Sequence, residues 1–173
     1  MFRQALANRR AKLGEGHPDT ATSYGNAGSN LARQHRYDEA QPLFVRATEI
    51  IAERLGPDHP DLAKSFNNLG VNLAALGRMR EAADFLGEAA AMMAAAHGEA
   101  HPDTIAARLT LGMHTMRGMG QPQPALDQFR LATEAVGSLY AGGHERAGSR
   151  SAFARDLHGF RYRVAAAWVV AQR

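Results

Sequence analysis

The fold of this chain is decided by residues 59–90, which read HPDLAKSFNNLGVNLAALGRMREAADFLGEAA. The opening triplet recurs every 42 residues, as His17-Pro18-Asp19, His59-Pro60-Asp61 and His101-Pro102-Asp103. Other positions keep the same step, since Leu13-Gly14 corresponds to Leu55-Gly56. A fixed period of this length is the sequence signature of a repeat array.

Apolar and small residues recur within each unit at the spacing of two packed helices. In the second unit these positions hold Phe66, Leu69, Gly70, Leu73, Ala82 and Leu86. In the first unit they hold Tyr24, Ala27, Gly28, Leu31, Ala40 and Phe44. The third unit keeps Leu111, Gly112, Ala125 and Phe129 but has Arg108 where an aromatic residue is expected. Because glycine costs a helix about 1 kcal/mol relative to alanine, the recurring glycine predicts a close helix crossing.

This pattern resembles the tetratricopeptide repeat, and its 42-residue unit is similar to the kinesin-light-chain type of that repeat. The resemblance implies an all-α fold: a right-handed superhelix, or α-solenoid, of antiparallel helix hairpins with a C-terminal capping helix. First helices are expected near residues 19–34, 61–76 and 103–118. Second helices are expected near residues 37–55, 79–97 and 124–140.

The register also predicts how the chain divides into units. Residues 1–16 are expected to be the second helix of an incomplete leading repeat, which suggests a fragment of a longer protein. Complete repeats are expected at 17–58 and 59–100, a degenerate repeat at 101–143, and a C-terminal capping segment at 144–173. In the third unit one inserted residue near Gln121 explains a register shift. We interpret Trp168 as an anchor of the capping segment.

Composition favours a soluble helical scaffold. The chain has 173 residues, 45% of them hydrophobic, and no run near the ~20 apolar residues of a membrane span. It lacks cysteine, and its first residues do not resemble a signal peptide, so we expect a cytoplasmic protein. The net charge of +3 comes mainly from six arginines after residue 143. No basic motif typical of nucleic-acid binding accompanies them, so that function is disfavoured. The alanine- and arginine-rich usage suggests a bacterial source.

Catalytic, cofactor and metal sites are not expected. The sequence contains no nucleophile elbow and no HExxH motif. The equivalent histidines His17, His59 and His101 would lie about 8–10 Å or more apart on stacked helices, too far for a shared zinc ion. We therefore interpret these histidines as helix-start residues and the chain as a non-enzyme.

The resemblance implies that the first helices line a concave groove that binds a peptide or a segment of a partner protein. Lysine and arginine at three groove positions favour a ligand with acidic residues. An asparagine there can donate to and accept from an extended peptide backbone. The groove residues assigned in this way are Arg33, Lys64, Asn67, Val71, Met113 and Arg117.

A second set of asparagines is regular. Asn26 and Asn30 are one helical turn apart, and Asn68 and Asn72 repeat them one unit later. Two interpretations are open: a polar ladder presented to a partner, or hydrogen bonds that fix neighbouring repeats. For Asn26 and Asn68 we favour the structural interpretation.

Two alternative functions remain open. Residues 160–168 look like the helical passage that follows such repeats in bacterial CHAT-type peptidases, which implies a regulatory portion of a larger enzyme. The other alternative is a self-associating solenoid, a homo-oligomer formed through Phe2 and Leu6 at an open repeat end.

Overall fold

The computed structural model describes residues 2–119 and 122–141, and this part of the chain contains seven α-helices. The capping segment expected at 144–173, with its Trp168, lies outside the described residues. The helices are α1 (Phe2–Leu13), α2 (Pro18–Arg33), α3 (Tyr37–Leu55), α4 (Pro60–Ala75), α5 (Met79–His97), α6 (Pro102–Met119) and α7 (Pro122–Ala141).

Each helix packs on the next one along the chain. Short connections, such as residues 34–36 between α2 and α3, turn the chain back and make α2–α3, α4–α5 and α6–α7 antiparallel hairpins. Contacts of α3 with α4 and of α5 with α6 stack the hairpins, and α1 packs on α2. The described chain is therefore the α-solenoid that the repeat pattern predicts.

The His-Pro-Asp triplet starts each first helix. Pro18 and Pro60 occupy the first turn, where the missing N–H would be unpaired in any case. The preceding histidine is the N-cap: Nδ1 of His59 accepts a hydrogen bond from the backbone N–H of Asp61 at 3.1 Å. The same bond occurs at His17 (3.1 Å) and His101 (3.2 Å). Each first helix therefore begins at proline, one residue before the predicted start.

Glycine ends the helices that precede these triplets. Gly56 is the C-cap of α3, and its φ of 88° is a conformation that side chains disfavour. The corresponding Gly14 and Gly98 have φ of 89° and 84°. Glycine at this position therefore closes the helix before each His-Pro-Asp triplet.

The glycine in the middle of each first helix lies at a close crossing with the second helix. A Cβ on Gly70 would come within 2.8 Å of Leu86 Cγ and 3.1 Å of the Ala82 carbonyl oxygen. A Cβ on Gly28 or on Gly112 would come within 2.9 or 2.7 Å, respectively, of a phenylalanine ring in the paired helix. The close crossing inferred from the sequence is therefore present in all three hairpins.

Arg108 occupies the aromatic position of the third hairpin and is only 12% exposed. Its guanidinium donates to both carboxylate oxygens of Glu99, at 2.7 and 2.5 Å, and to Gln128 Oε1 at 3.0 Å. The equivalent Phe66 instead packs on Phe85, with ring centroids 5.4 Å apart. The third repeat thus has a polar pair where the second repeat has an apolar pair. In the sequence alone, this exchange makes the third repeat look degenerate.

Tyr24 occupies the same position in the first hairpin, and it also binds a carboxylate nine residues earlier in the chain. The hydroxyl of Tyr24 donates to Glu15, and Arg10 Nε lies 2.5 Å from the other carboxylate oxygen. The Tyr24 hydrogen bond, with smaller help from Arg10, lowers the pKa of Glu15 below its ordinary value. Hydrogen bonding from Arg108 likewise lowers the pKa of Glu99. These acids therefore stay charged and tie the preceding turn to the hairpin.

Candidate functional site

The first helices α2, α4 and α6 form one continuous surface. α2 contacts α4 and α4 contacts α6, whereas α3, α5 and α7 approach one another less closely. The stack therefore curves toward the first helices. We call their solvent-facing side the first-helix face; it consists of Thr22, Asn26, Ser29, Arg33, Lys64, Asn68, Val71, Ala75, Ala106, Thr110, Met113 and Arg117.

The first-helix face is organised in rows that cross the three helices. Residues at equivalent positions of successive repeats stand side by side, and neighbouring rows are three or four residues apart, about 5–6 Å between Cβ atoms. The amide row is Asn26, Asn68 and Thr110, and the apolar row is Ser29, Val71 and Met113. The cationic row is Arg33, Ala75 and Arg117, and the outer row is Thr22, Lys64 and Ala106.

The apolar row carries two unusually exposed side chains. Val71 is 37% exposed and Met113 is 40% exposed, and they occupy equivalent positions on the adjacent helices α4 and α6. The described chain has other exposed large apolar residues at Leu13 and Val45, but neither lies on the first-helix face. The face thus contains a short apolar strip.

The charge of the first-helix face is positive. Arg33, Lys64 and Arg117 are exposed, and none of the residues that define the face is acidic. Lys64 Nζ bonds Asp61 Oδ1 at 3.0 Å, on the border of the face. Among the residues that the structure describes, neither Arg33 nor Arg117 forms a salt bridge. The surface between the two arginines is therefore open to an anionic group.

His114 lies half-buried beside this surface, one turn before Gly118 on α6. Burial and, to a lesser extent, the nearby Arg117 guanidinium lower the pKa of this histidine. It is therefore neutral at pH 7 and adds no charge to the first-helix face.

The predicted asparagines fall into two structural classes. Asn26 and Asn68 are exposed on the amide row, although the sequence favours a structural role for them. Asn72 is 1% exposed, and its Nδ2 donates to the Tyr37 carbonyl at 3.1 Å and to Gln41 Oε1 at 2.7 Å. Asn72 thus joins α4 to α3 of the preceding hairpin and is not available to an outside partner.

Two further asparagines take intermediate positions. Asn67, assigned to the groove from the resemblance, is half-buried next to the exposed Asn68. Asn30 Oδ1 accepts a hydrogen bond from Gln34 Nε2 at 2.6 Å within the same hairpin. The structure therefore places five of the six predicted groove residues on one face: Arg33, Lys64, Val71, Met113 and Arg117. Of the four asparagines in the predicted ladder, only Asn26 and Asn68 belong to that face.

A second depression lies away from the first-helix face, on the outer side of α3. Its volume is about 530 Å³. It is lined by the apolar residues Pro42, Val45 and Leu76 and by polar residues that include Arg46 and Glu49, which pair at 3.0 Å. The repeat pattern of the sequence does not predict this depression.

The described residues contain no cluster of three or more His, Cys, Asp or Glu side chains that could share a metal ion. The rings of His97 and His101 stack with centroids 4.5 Å apart across the turn between α5 and α6. No helix in the described part of the chain is both long and apolar enough to span a membrane. Leu6, expected at a self-association surface, packs against the core formed around Tyr24 and Ile50.

The sequence profile of the tetratricopeptide repeat matches residues 1–50 and 25–95, which together are more than half of the chain. No curated protein is similar enough in sequence to count as a relative.

Solved structures show the same architecture. The crystal structure of BtubC (BKLC) from P. vanneervenii superimposes with a TM-score of 0.73 at 19% identity; the match covers 84% of this chain and 57% of that one. Two crystal structures of a Podosopora anserina protein, described as a candidate kinesin light chain with nearly identical TPR-like repeats, give TM-scores of 0.72. Each is 21% identical, with 99% of this chain and 82% of that chain covered. At these identities the likeness shows the fold.

Proposed function

Since this chain belongs to the tetratricopeptide repeat family, we propose that it is a non-catalytic interaction module that holds a segment of a partner protein on its first-helix face. Repeats of this family generally mediate protein–protein interactions, and their fold is typically a scaffold without catalytic activity. The finer assignment, to this face and to a partner segment with acidic residues, is the proposal.

The observation that carries the proposal is the make-up of the first-helix face. It combines the exposed apolar pair Val71 and Met113 with Arg33 and Arg117, which form no salt bridge with a described residue, and with Lys64, which pairs with Asp61 at its border. A surface with an apolar centre and charges of one sign favours a partner that offers apolar side chains and the opposite charge. An acidic peptide segment has both properties.

Photo-crosslinking compares two matched positions. A photoreactive residue replaces Val71 on the first-helix face or, separately, Val45 on the outer side of α3, which is equally exposed at 36%. We expect the probe at position 71 to form saturable adducts with proteins in lysate of the native cells, and the probe at position 45 to form few. Equal adducts at the two positions, with the same proteins, would contradict the proposal.

Charge reversal tests the proposed attraction between the first-helix face and an acidic partner segment. Arg33→Glu combined with Arg117→Glu should remove most adducts at position 71, because like charges would then face the acidic segment. Arg80→Glu is the matched control, since Arg80 is exposed on α5 outside the first-helix face. Loss of adducts in the control and the double variant alike would point to a non-specific charge effect and against the assigned face.

A further inference from the structure

We propose that Met113 is a site of reversible oxidation. Dissolved hydrogen peroxide converts its thioether to a sulfoxide, and the sulfoxide weakens binding of the partner segment at the first-helix face. Selective oxidation of Met113 follows from the exposure of its side chain, whereas the effect on binding rests on the proposed function.

Met113 is more accessible than the other methionines whose side chains the structure describes. It is 40% exposed on α6, whereas Met93 is 7% exposed and packs in a core cluster between α4, α5 and α6. Met79 and Met92 are partly buried and pack against core clusters, and Met116 is half-buried. An oxidant that arrives from water therefore reaches the Met113 thioether first, because oxidation of a sulfur side chain follows its solvent access.

The reaction is an oxygen transfer that moves two electrons from sulfur to peroxide. A lone pair of Met113 Sδ attacks one oxygen of hydrogen peroxide, so that an S–O bond forms as the O–O bond breaks. The second oxygen takes the proton of the transferred one and leaves as water. Methionine sulfoxide reductases reverse the modification: two thiols become a disulfide, and the sulfoxide oxygen leaves as water.

Oxidation changes the apolar row of the first-helix face. Val71 and Met113 are the two large apolar side chains exposed there. A sulfoxide is polar, and its oxygen is a hydrogen-bond acceptor, so methionine oxidation disrupts apolar interfaces. Burying that oxygen under an apolar group of the partner costs free energy that the thioether does not cost. Apolar contacts with residue 113 are therefore weaker after oxidation.

The sulfoxide also competes for Arg117. This arginine lies one helical turn after Met113, on the same side of α6. Long side chains of a helix lean toward its N-terminal end, so Arg117 covers the turn that contains Met113. Its guanidinium forms no salt bridge within the described chain and can donate a hydrogen bond to the sulfoxide oxygen. One added oxygen atom thus affects both the apolar row and the cationic row.

Mass spectrometry of proteolytic peptides, sampled during treatment with hydrogen peroxide, tests the selectivity. In the folded protein we expect Met113 to be oxidised at least about tenfold faster than Met93, and faster than Met79, Met92 and Met116. In concentrated urea, where the fold no longer shields them, these methionines should be oxidised at rates within about twofold of one another. Equal rates for Met113 and Met93 in the folded protein, or faster oxidation of another of these methionines, would overturn the assignment.

The photoreactive residue at position 71 measures the effect on binding. The purified protein is oxidised, the peroxide is removed with catalase, and gel-filtered lysate of the native cells is added. We expect adducts to fall about tenfold, and to return if methionine sulfoxide reductases act on the protein before it meets the lysate. Circular dichroism of the oxidised protein checks that the helices are retained.

Two variants assign the effect to this sulfur. Met113→Leu keeps the size and apolar character of the side chain but offers no sulfur, so its adducts should be equal with and without peroxide. Met113→Gln places an amide oxygen near the position of the sulfoxide oxygen and should lower the adducts without peroxide. An equal fall of adducts in oxidised Met113→Leu would assign the effect to another methionine and overturn the role of Met113.

The remaining outcomes separate the oxidation site from the proposed function. Selective oxidation of Met113 with unchanged adducts would overturn the effect on binding and leave the binding face intact. Absence of adducts at position 71 in the reduced protein would contradict the proposed function, and with it the effect on binding. The oxidation rates of the folded protein judge Met113 separately, because they are measured without a partner.

Discussion

Gly70 illustrates how one residue sets the distance between two helices. The Leu86 side chain and the Ala82 carbonyl of α5 occupy the space where a Cβ on Gly70 would lie. Gly87, on the same hairpin, has no atom within 4 Å of the place a Cβ would take. The two glycines are both helical but differ in what surrounds them, so the same substitution should have opposite effects.

Gly70→Ala is expected to lower the free energy of unfolding by up to about 2 kcal/mol. Overpacking costs about 1–3 kcal/mol, and the gain in helix propensity offsets up to about 1 kcal/mol of that. Gly87→Ala should raise the free energy of unfolding by about 0.5–1 kcal/mol because only the propensity gain remains. Urea denaturation measures both. If the two variants are equally stable, the close crossing is not a constraint.

His114 should make the protein sensitive to acid. Its pKa in the folded state is lowered, chiefly by burial and also by Arg117, so folding favours the neutral ring. The stability it contributes is complete above the unfolded pKa of about 6.5. That stability decreases as the pH falls below this value toward the folded pKa. His114→Asn, which places the residue of Asn72 at the equivalent position, should show a smaller loss of stability between pH 7 and 5.

The control for this pH effect is His35→Asn, since His35 is exposed in the turn between α2 and α3. Thermal denaturation across the pH range compares the variants. Parallel stability curves for wild type and His114→Asn would exclude His114 as a source of the acid sensitivity.

Some residues could be interpreted from sequence and others could not. The glycine crossings were predictable because each glycine recurs in a helix where glycine is otherwise costly. Arg108 was not, because its partners Glu99 and Gln128 lie in the preceding turn and in the paired helix, and only the folded hairpin brings them together. Asn72 and Asn68 look alike in the sequence; only the packing of α4 on α3 buries the first and exposes the second.

At the scale of the helix, the boundaries follow local chemistry. Both ends of α3, Tyr37 and Leu55, and both ends of α5, Met79 and His97, coincide with the prediction. In the third hairpin α7 begins at Pro122, before the predicted Pro124. Pro122 is the register equivalent of Met79 once the inserted residue is counted, and proline is favoured in the first turn of a helix. Histidine and proline at the starts of the first helices, and glycine after the ends of α3 and α5, define these ends without tertiary information, so they were predictable. The starts of α3 and α5 follow from the repeat register.

Removing an N-cap tests this local control. His59→Ala should lower the free energy of unfolding by about 1 kcal/mol because the Asp61 N–H at the start of α4 loses its acceptor. His59→Asn should remain within a few tenths of a kcal/mol of wild type, since asparagine is a favourable N-cap. Denaturant titration distinguishes the two. Equal loss in both variants would show that the ring is needed for packing and not for capping.

Cooperative unfolding of the hairpins is a property of the whole molecule. The stability of a repeat protein is approximately the sum of its units and of the interfaces between neighbours. Asn72 crosses the interface between the α2–α3 and α4–α5 hairpins through two hydrogen bonds. Its loss should therefore weaken the coupling of these units as well as their stability.

Asn72→Ala is expected to lower the free energy of unfolding by about 1–3 kcal/mol, the cost of leaving a buried polar partner unpaired. The denaturant slope m should decrease too, because the hairpins no longer unfold as one unit. Asn68→Ala, at an exposed position of the same helix, should change stability by less than about 0.5 kcal/mol. An unchanged slope in Asn72→Ala would place the coupling in apolar contacts instead.

The first-helix face depends both on the repeat register and on how the hairpins stack. Its residues were largely predictable, because the repeat register assigns equivalent positions to one side of each first helix. The curvature was not, since it depends on how far apart successive second helices lie. Nor was the outer depression near Pro42, because residues of α3 and of the turn between α4 and α5 line it together.

Equivalent places in two successive hairpins hold different pairs, Phe66 with Phe85 and Arg108 with Gln128. This difference has a consequence for how repeat arrays change by recombination. Each pair is contained within one hairpin. A gene crossover between residues 97 and 98, ahead of Glu99, transfers Arg108 together with both Glu99 and Gln128. A crossover between α4 and α5 would instead join an aromatic ring to an amide. We therefore expect exchange of whole hairpins to preserve the packing of each pair, and a breakpoint inside a hairpin to disturb it.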